Sequence, residues 1–238
     1  MAQASDSERQ RAEAAIGRTA EAQRKATAKA LAGRRSEARL LRMMGVALAR
    51  AETLIARVHK LSPPPRPIAC GPGCPFCCHV RLTVSPPELL LVADYLSRTW
   101  PAERLDALKT KLANLDRLTR GRDAEAREAM RLPCPMLVDN FCAVHEVRPT
   151  SCRAVASVDV AACRQSYDSR MTDPVPQVTM QLNAANGVGY GVIAGLIESE
   201  FPVENIEFIA GLRIALETDN AARRWLDGEG LFAPASDP

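Results

Sequence analysis

Apolar residues first fall into register at Leu40. Leu40, Met44, Leu48, Ala51, Leu54, Ile55, Val58 and Leu61 recur at three- and four-residue steps, which predicts one buried helical face. Upstream, residues 1–39 are Ala, Arg, Glu, Gln and Lys, with Ile16 and Leu31 almost the only large apolar side chains. That segment has helical propensity but no face to bury, so it is expected to be a solvated or mobile helix. The run Ser62-Pro63-Pro64-Pro65-Arg66-Pro67 cannot continue a helix and reads as a stiff extended connector.

Beyond it, Val80–Val84 is a short extended piece. Ser85-Pro86-Pro87-Glu88 is a helix start, with Ser85 as cap, prolines in the first turn and Glu88 three residues on. The helix it opens, to Thr99, turns Leu89, Val92, Ala93 and Leu96 inward. A second runs from about Ala102 to Met130 on Leu105, Leu108, Leu112, Leu115 and Leu118, broken or bent at Gly121. Residues 133–165 look irregular. Helical patterns return over Gln177–Glu200 and Val203–Leu226. The expected fold is mostly α: a helical domain around a cysteine-rich irregular metal site, with a long N-terminal helix. Its expected divisions are a basic Ala/Arg-rich arm and helix (1–62), a Pro-rich linker (63–67), a cysteine-cluster region (68–165) and completing C-terminal helices (166–238).

Composition fits this picture. The 238 residues are 47% hydrophobic but only 4% aromatic, which favours helices over a sandwich or barrel. Charge is uneven: residues 1–60 carry 13 Lys/Arg and 6 Asp/Glu, a net +7, and the remainder carries 18 and 22, a net −4. A basic arm can touch nucleic acid or an acidic membrane surface. Mixed signs and the lack of interleaved aromatics favour a solubilising extension instead, and nucleic acid is not the expected partner. No run of about 18 uncharged apolar residues exists, so no membrane span is expected. The start has no apolar signal-peptide core, and Asp6, Glu8, Glu13 and Glu21 argue against a transit peptide. The expected compartment is the cytoplasm, where clustered thiols stay reduced.

The chemistry lies in eight cysteines. Cys70, Cys74, Cys77 and Cys78 fall in the stretch Cys70-Gly71-Pro72-Gly73-Cys74-Pro75-Phe76-Cys77-Cys78-His79, and Cys134, Cys142, Cys152 and Cys163 follow. Soft thiolates two or three residues apart point at one metal ion while Gly and Pro let the backbone wrap it. Burial as small apolar side chains does not account for four thiols in nine residues. Cys74-x-x-Cys77 is also a redox spacing, but no βαβ context surrounds it. All-sulfur ligation suits zinc or iron, the latter as a [4Fe–4S] cluster. Eight thiols suffice for two four-coordinate sites, or for one cluster with the rest structural. The 70/74/77 spacing is that of radical-SAM enzymes, whose repeated βα units this chain lacks.

With the downstream run Cys134-Pro135 … Cys142-Ala143-Val144-His145-Glu146-Val147-Arg148-Pro149-Thr150-Ser151-Cys152-Arg153, the pattern resembles the YkgJ-type cysteine-cluster family, a zinc- or iron-chelating domain. The likeness covers roughly residues 68–165. It implies metal binding without a defined activity. A branch with a similar cluster, the flagellin lysine methylase, links the resemblance to iron–sulfur chemistry. An aromatic commonly stands in the family where this chain has His145. Arg148 and Arg153 are placed to donate to sulfur and offset its charge. His79 adjoins Cys78 and reads as a neighbour more than a ligand, and His59 is expected to face solvent.

The Cys70–Cys78 loop thus reads as half of a site, with Cys134, Cys142 and Cys152 as its partners and Cys163 the least well tied to it. Gly187, Gly189, Gly191 and Gly195 loosely match a dinucleotide loop, but close helix packing explains them better. Three functions remain: a metal- or cluster-binding protein; an iron–sulfur-dependent enzyme modifying a protein or peptide; and a zinc-stabilised interaction module with a basic arm and a protein partner.

Overall fold

The computed structural model describes residues 5–236. It contains ten helices and two small antiparallel strand pairs among those residues. The N-terminal pair is α1 (Asp6–Leu31) and α2 (Glu37–Leu61). After the Pro-rich segment come β1 (Thr83–Val84), α3 (Pro86–Thr99), α4 (Ala102–Thr119) and α5 (Ala124–Ala129). Then follow β2 (Leu137–Val138), β3 (Phe141–Cys142), α6 (Thr150–Ala154) and α7 (Val160–Asp168). The chain closes with α8 (Thr179–Glu198), β4 (Ile206–Glu207), α9 (Phe208–Glu217) and α10 (Ala221–Leu226).

Side-chain caps set most helix starts. Ser5 and Glu8 form a reciprocal capping box at α1, and Ser36, Asp123, Asp159 and Glu207 each accept a backbone N–H at the starts of α2, α5, α7 and α9. These satisfy donors that a helix start otherwise leaves bare. Two packed groups result. α1, α2 and α8 pack mutually, while α9 lies across α3 and α4. The α2–α3 contact joins them, and β1 pairs with β4 between. Leu89, Leu96, Leu112, Phe208, Leu212, Trp225 and Phe232 are fully buried in the shared core.

The mostly helical fold and the face of α2 agree with the sequence reading: Leu40, Met44, Leu48, Ala51, Leu54, Ile55 and Val58 are all buried. α1 does not. It is no solvated arm, because Ala12, Ala15, Gln23, Thr27 and Leu31 are buried against α8 and α2. Its partner surface is the glycine row. A Cβ on Gly187 would lie 2.8 Å from Ile16, and one on Gly191 would lie 2.5 Å from the Ala20 carbonyl. One on Gly195 would lie 2.6 Å from the Arg24 carbonyl, against Thr27. Backbones this close gain dispersion contacts without large side chains, so α1 buries a face that apolar periodicity cannot register. Polar groups complete the seam: Gln23 donates to Thr27 (3.0 Å) and accepts from Arg50, and Arg24 pairs with Glu198.

Smaller differences have local causes. Gly121 sits at φ +73° and ends the second predicted helix, so α4 and α5 are separate and Leu118 is exposed. Residues 133–165 hold a hairpin and two short helices. His59 is half-buried, its Nε2 enclosed without a partner among the described residues, and burial lowers its pKa.

Two glycines test the close approach. Gly195→Ala should lose about 1–3 kcal/mol to overpacking, against the usual helix preference for Ala. Gly45→Ala in α2, where a Cβ meets nothing within 4 Å, should gain stability by about 0.5–1 kcal/mol. Urea midpoints of the two variants read the difference, and equal shifts would contradict the packing account.

Candidate metal centre

The first thiol loop is shaped by its turns. Gly73 takes φ +84°, open to glycine at little cost, and the Cys74 N–H closes on the Gly71 carbonyl (3.1 Å). Phe76–His79 then form a 3₁₀ turn in which the Cys78 N–H reaches the Pro75 carbonyl (2.9 Å). Burial raises Cys74, and the Phe76 N–H offsets part of that rise. Ser157 anchors the loop. Its carbonyl accepts from Ala69 N–H (2.8 Å), its N–H points at the Cys70 sulfur (3.3 Å), and its hydroxyl donates to the Asp159 carbonyl (3.3 Å) at the start of α7. Cys163 is carried on α7, which packs on the 76–79 turn through Tyr167. The Tyr167 ring meets His79 at 4.8 Å and Phe76 at 6.0 Å between centroids.

The second set is built by a hairpin. Asp139 (φ +50°) and Asn140 (φ +65°) make the left-handed two-residue turn between β2 and β3, which places Leu137 opposite Cys142. The Ala143 N–H bonds to the Met136 carbonyl (2.8 Å), drawing Cys134 and Cys142 to the same end. The Met136 N–H at Cys134 and the Val144 N–H at Cys142 offset part of the rise that burial imposes on each thiol. The Cys134 N–H donates to the Cys78 carbonyl (2.7 Å), tying this set to the first loop.

Cys152 arrives on α6, whose start is held by Glu88. One oxygen of this buried carboxylate accepts from Ser85 N–H (3.0 Å) and hydroxyl (2.8 Å), and the other from Thr150 N–H (2.8 Å) and hydroxyl (2.6 Å). Glu88 thus caps its own helix and also fixes the one bearing Cys152.

Electrostatics sort the thiols into two neighbourhoods. Burial raises Cys163, and charge on Cys70, Cys74 and Cys77 raises it further. Burial likewise raises Cys152 well above the usual thiol value, with charge on Cys134, Cys142 and Cys77 adding to it. Cys134 is pushed up to about 11, chiefly by burial, against the relief of the Met136 N–H and of Lys111 and Arg127. Cys77 is raised by its bond to Cys78 and then by burial. The adjacent pair Cys77–Cys78 therefore stands between a group of Cys70, Cys74 and Cys163 and a group of Cys134, Cys142 and Cys152.

All eight cysteines are free thiols. Among the described residues, no three His, Cys, Asp or Glu side chains are gathered closely enough to hold a metal ion as they stand. The donor set still fits a soft metal. Burial raises Cys74, Cys134 and Cys142 above the ordinary thiol value, so a metal ion would have to supply the positive charge that holds them as thiolates.

Cys163 stands with the first loop, against the sequence expectation that it is the least connected. Arg148 and Arg153 both reach Glu52 on α2, so they tie the second group to the helical core and do not donate to sulfur. Burial raises Cys142, and the charge on Arg148 offsets part of that rise. His79 bonds to the Pro75 carbonyl (3.1 Å) and His145 lies against Arg148 (2.8 Å), so neither faces the thiols. Ser157, Tyr167, Glu52 and the second role of Glu88 were not visible in the sequence. The hairpin had a signal in Val138-Asp139-Asn140-Phe141. Comparison with protein-family models, curated proteins and solved structures finds no match.

Glu88→Gln replaces two acceptor sites with donors facing donors. It should cost about 2–3 kcal/mol in urea unfolding. It should also speed alkylation of Cys152 relative to Cys70. An unchanged midpoint and an unchanged Cys152 rate would remove Glu88 from this role.

Proposed function

We propose that this chain is a cysteine-ligated metal protein that holds zinc or an iron–sulfur cluster at two neighbouring centres. The observation that carries the reading is the way the fold groups eight free thiols: α7, bearing Cys163, packs on the 76–79 turn of the first loop, while the hairpin brings Cys134 and Cys142 to one end and ties Cys134 to the Cys78 carbonyl. In this assignment Cys70, Cys74, Cys77 and Cys163 serve one centre, and Cys78, Cys134, Cys142 and Cys152 the other. The Ser157 N–H aimed at the Cys70 sulfur supports it, because an amide donor to sulfur stabilises a ligated thiolate. The resemblance to the YkgJ-type family points the same way. Zinc would supply a cross-link between loops far apart in sequence, and an iron–sulfur cluster would add electron transfer. Free thiols of this kind fit a reducing compartment such as the cytoplasm.

A second reading is favoured by one asymmetry. Cys70 is exposed, whereas every thiol of the downstream group is partly covered. An open centre beside a closed one suits a site where an external molecule reaches the metal. That fits an iron–sulfur enzyme acting on a protein or peptide. No helix of the described residues is long and apolar enough to cross a membrane.

Protein purified without oxygen should carry two equivalents of zinc, or iron with matching acid-labile sulfide and a visible charge-transfer band. Metal well below one equivalent after reconstitution would overturn the assignment. Chelation should loosen the loops at 70–79 and 133–165 while leaving α1, α2 and α8 helical, as hydrogen exchange would report.

A further inference from the structure

Away from the thiols, the turn between α4 and α5 opens onto a cavity of about 460 Å³. That size suits a small-molecule ligand. Arg81, Arg122 and Arg127 line it together with Arg120, Asp116 and Glu207. The acidic members already hold partners. Asp116 accepts from Arg120 (2.7 Å) and Arg213 (2.9 Å) through one oxygen. Glu207 accepts the Ala210 N–H (2.8 Å) at the start of α9. Asp123, also on the wall, caps α5 through the Ala126 N–H (2.7 Å). Among the basic members, Arg120 donates to the Pro234 carbonyl and Arg122 to the Leu118 carbonyl (2.7 Å).

Arg127 is different. It is 2% exposed, and its Nε and Nη1 are enclosed without a hydrogen-bond partner among the described residues. Charge on Glu207 reaches it and offsets part of the cost, but burial still holds its pKa below the ordinary guanidinium value. Leaving such donors unfilled is expensive, and a guanidinium with unfilled N–H groups beside a cavity is suited to a carboxylate or phosphate. The second oxygen of Asp116 is enclosed and unpartnered as well, so the cavity also offers an acceptor.

We propose that this cavity binds a small oxyanion, a phosphate or carboxylate group, through Arg127, with Arg81 and Arg122 on the same wall. The acceptor on Asp116 favours an anion that also carries a hydroxyl, as monohydrogen phosphate does. The bound charge would lie within electrostatic reach of Cys134, which already senses Arg127. The site stands on its own geometry and does not depend on whether the thiols hold a metal.

The test is calorimetric titration of the full chain with inorganic phosphate and, separately, with succinate at constant ionic strength. Saturable binding of either supports the proposal, and their relative affinities tell a phosphate from a carboxylate ligand. Arg127→Met keeps the volume and removes the uncompensated charge, so it should fold and bind at least on the order of tenfold more weakly. Should that variant not fold, Arg122→Gln on the exposed part of the wall should weaken the same binding. No saturable heat with either anion, or wild-type affinity in the folded variant, would overturn it.

Discussion

The carboxylate of Glu88 accepts four hydrogen bonds from two helix starts, its own and that of α6, whose Thr150 lies 62 residues further on. A buried carboxylate is costly to desolvate, and it persists only where its oxygens are satisfied. That requirement fixes where α6 begins relative to α3. Since Cys152 is the third residue of α6, it also fixes one thiol against the others. Arg153, next along the same helix, is 4% exposed and reaches Glu52 on α2. Gln181 on α8 adds a bond to the Arg153 carbonyl (2.8 Å). The cysteine segment is therefore held to three helices of the core, α3, α2 and α8, by side-chain and backbone hydrogen bonds. The scaffold is in place before any question of metal arises.

The helical core was legible where burial relies on large side chains. α2 and α3 follow their Leu, Met and Val periodicity closely, and the Ser85–Glu88 cap is where the sequence put it. α1 was not legible, because its buried face is Ala12, Ala15, Gln23 and Thr27. Such residues give no apolar signal by themselves. Their burial depends on the absence of side chains on α8, a property of a different segment. The glycine row was read as a close-packing surface, but the sequence could not say which helix it receives.

The site shows the same division. Spacing marks the thiols and the turn-forming glycines as one device, since these are local properties. It could not assign Cys163, whose neighbourhood is set by Ser157 and by Tyr167 against Phe76 and His79. Nor could it foresee that Arg148 and Arg153 serve Glu52, because a charge three turns along another helix leaves no trace near the motif. The hairpin resolves how Cys134 and Cys142, eight residues apart, come to share one end of a strand pair. Long-range polar contacts, more than periodicity, decide which sulfurs meet.

The division of the thiols into two neighbourhoods is the central claim, and native mass spectrometry of reconstituted Cys163→Ser and Cys142→Ser proteins tests it most directly. Each variant should lose one metal ion or cluster and keep the other, and the double variant should lose both. If either single substitution empties the protein completely, or neither changes its metal content, the two-centre account is wrong.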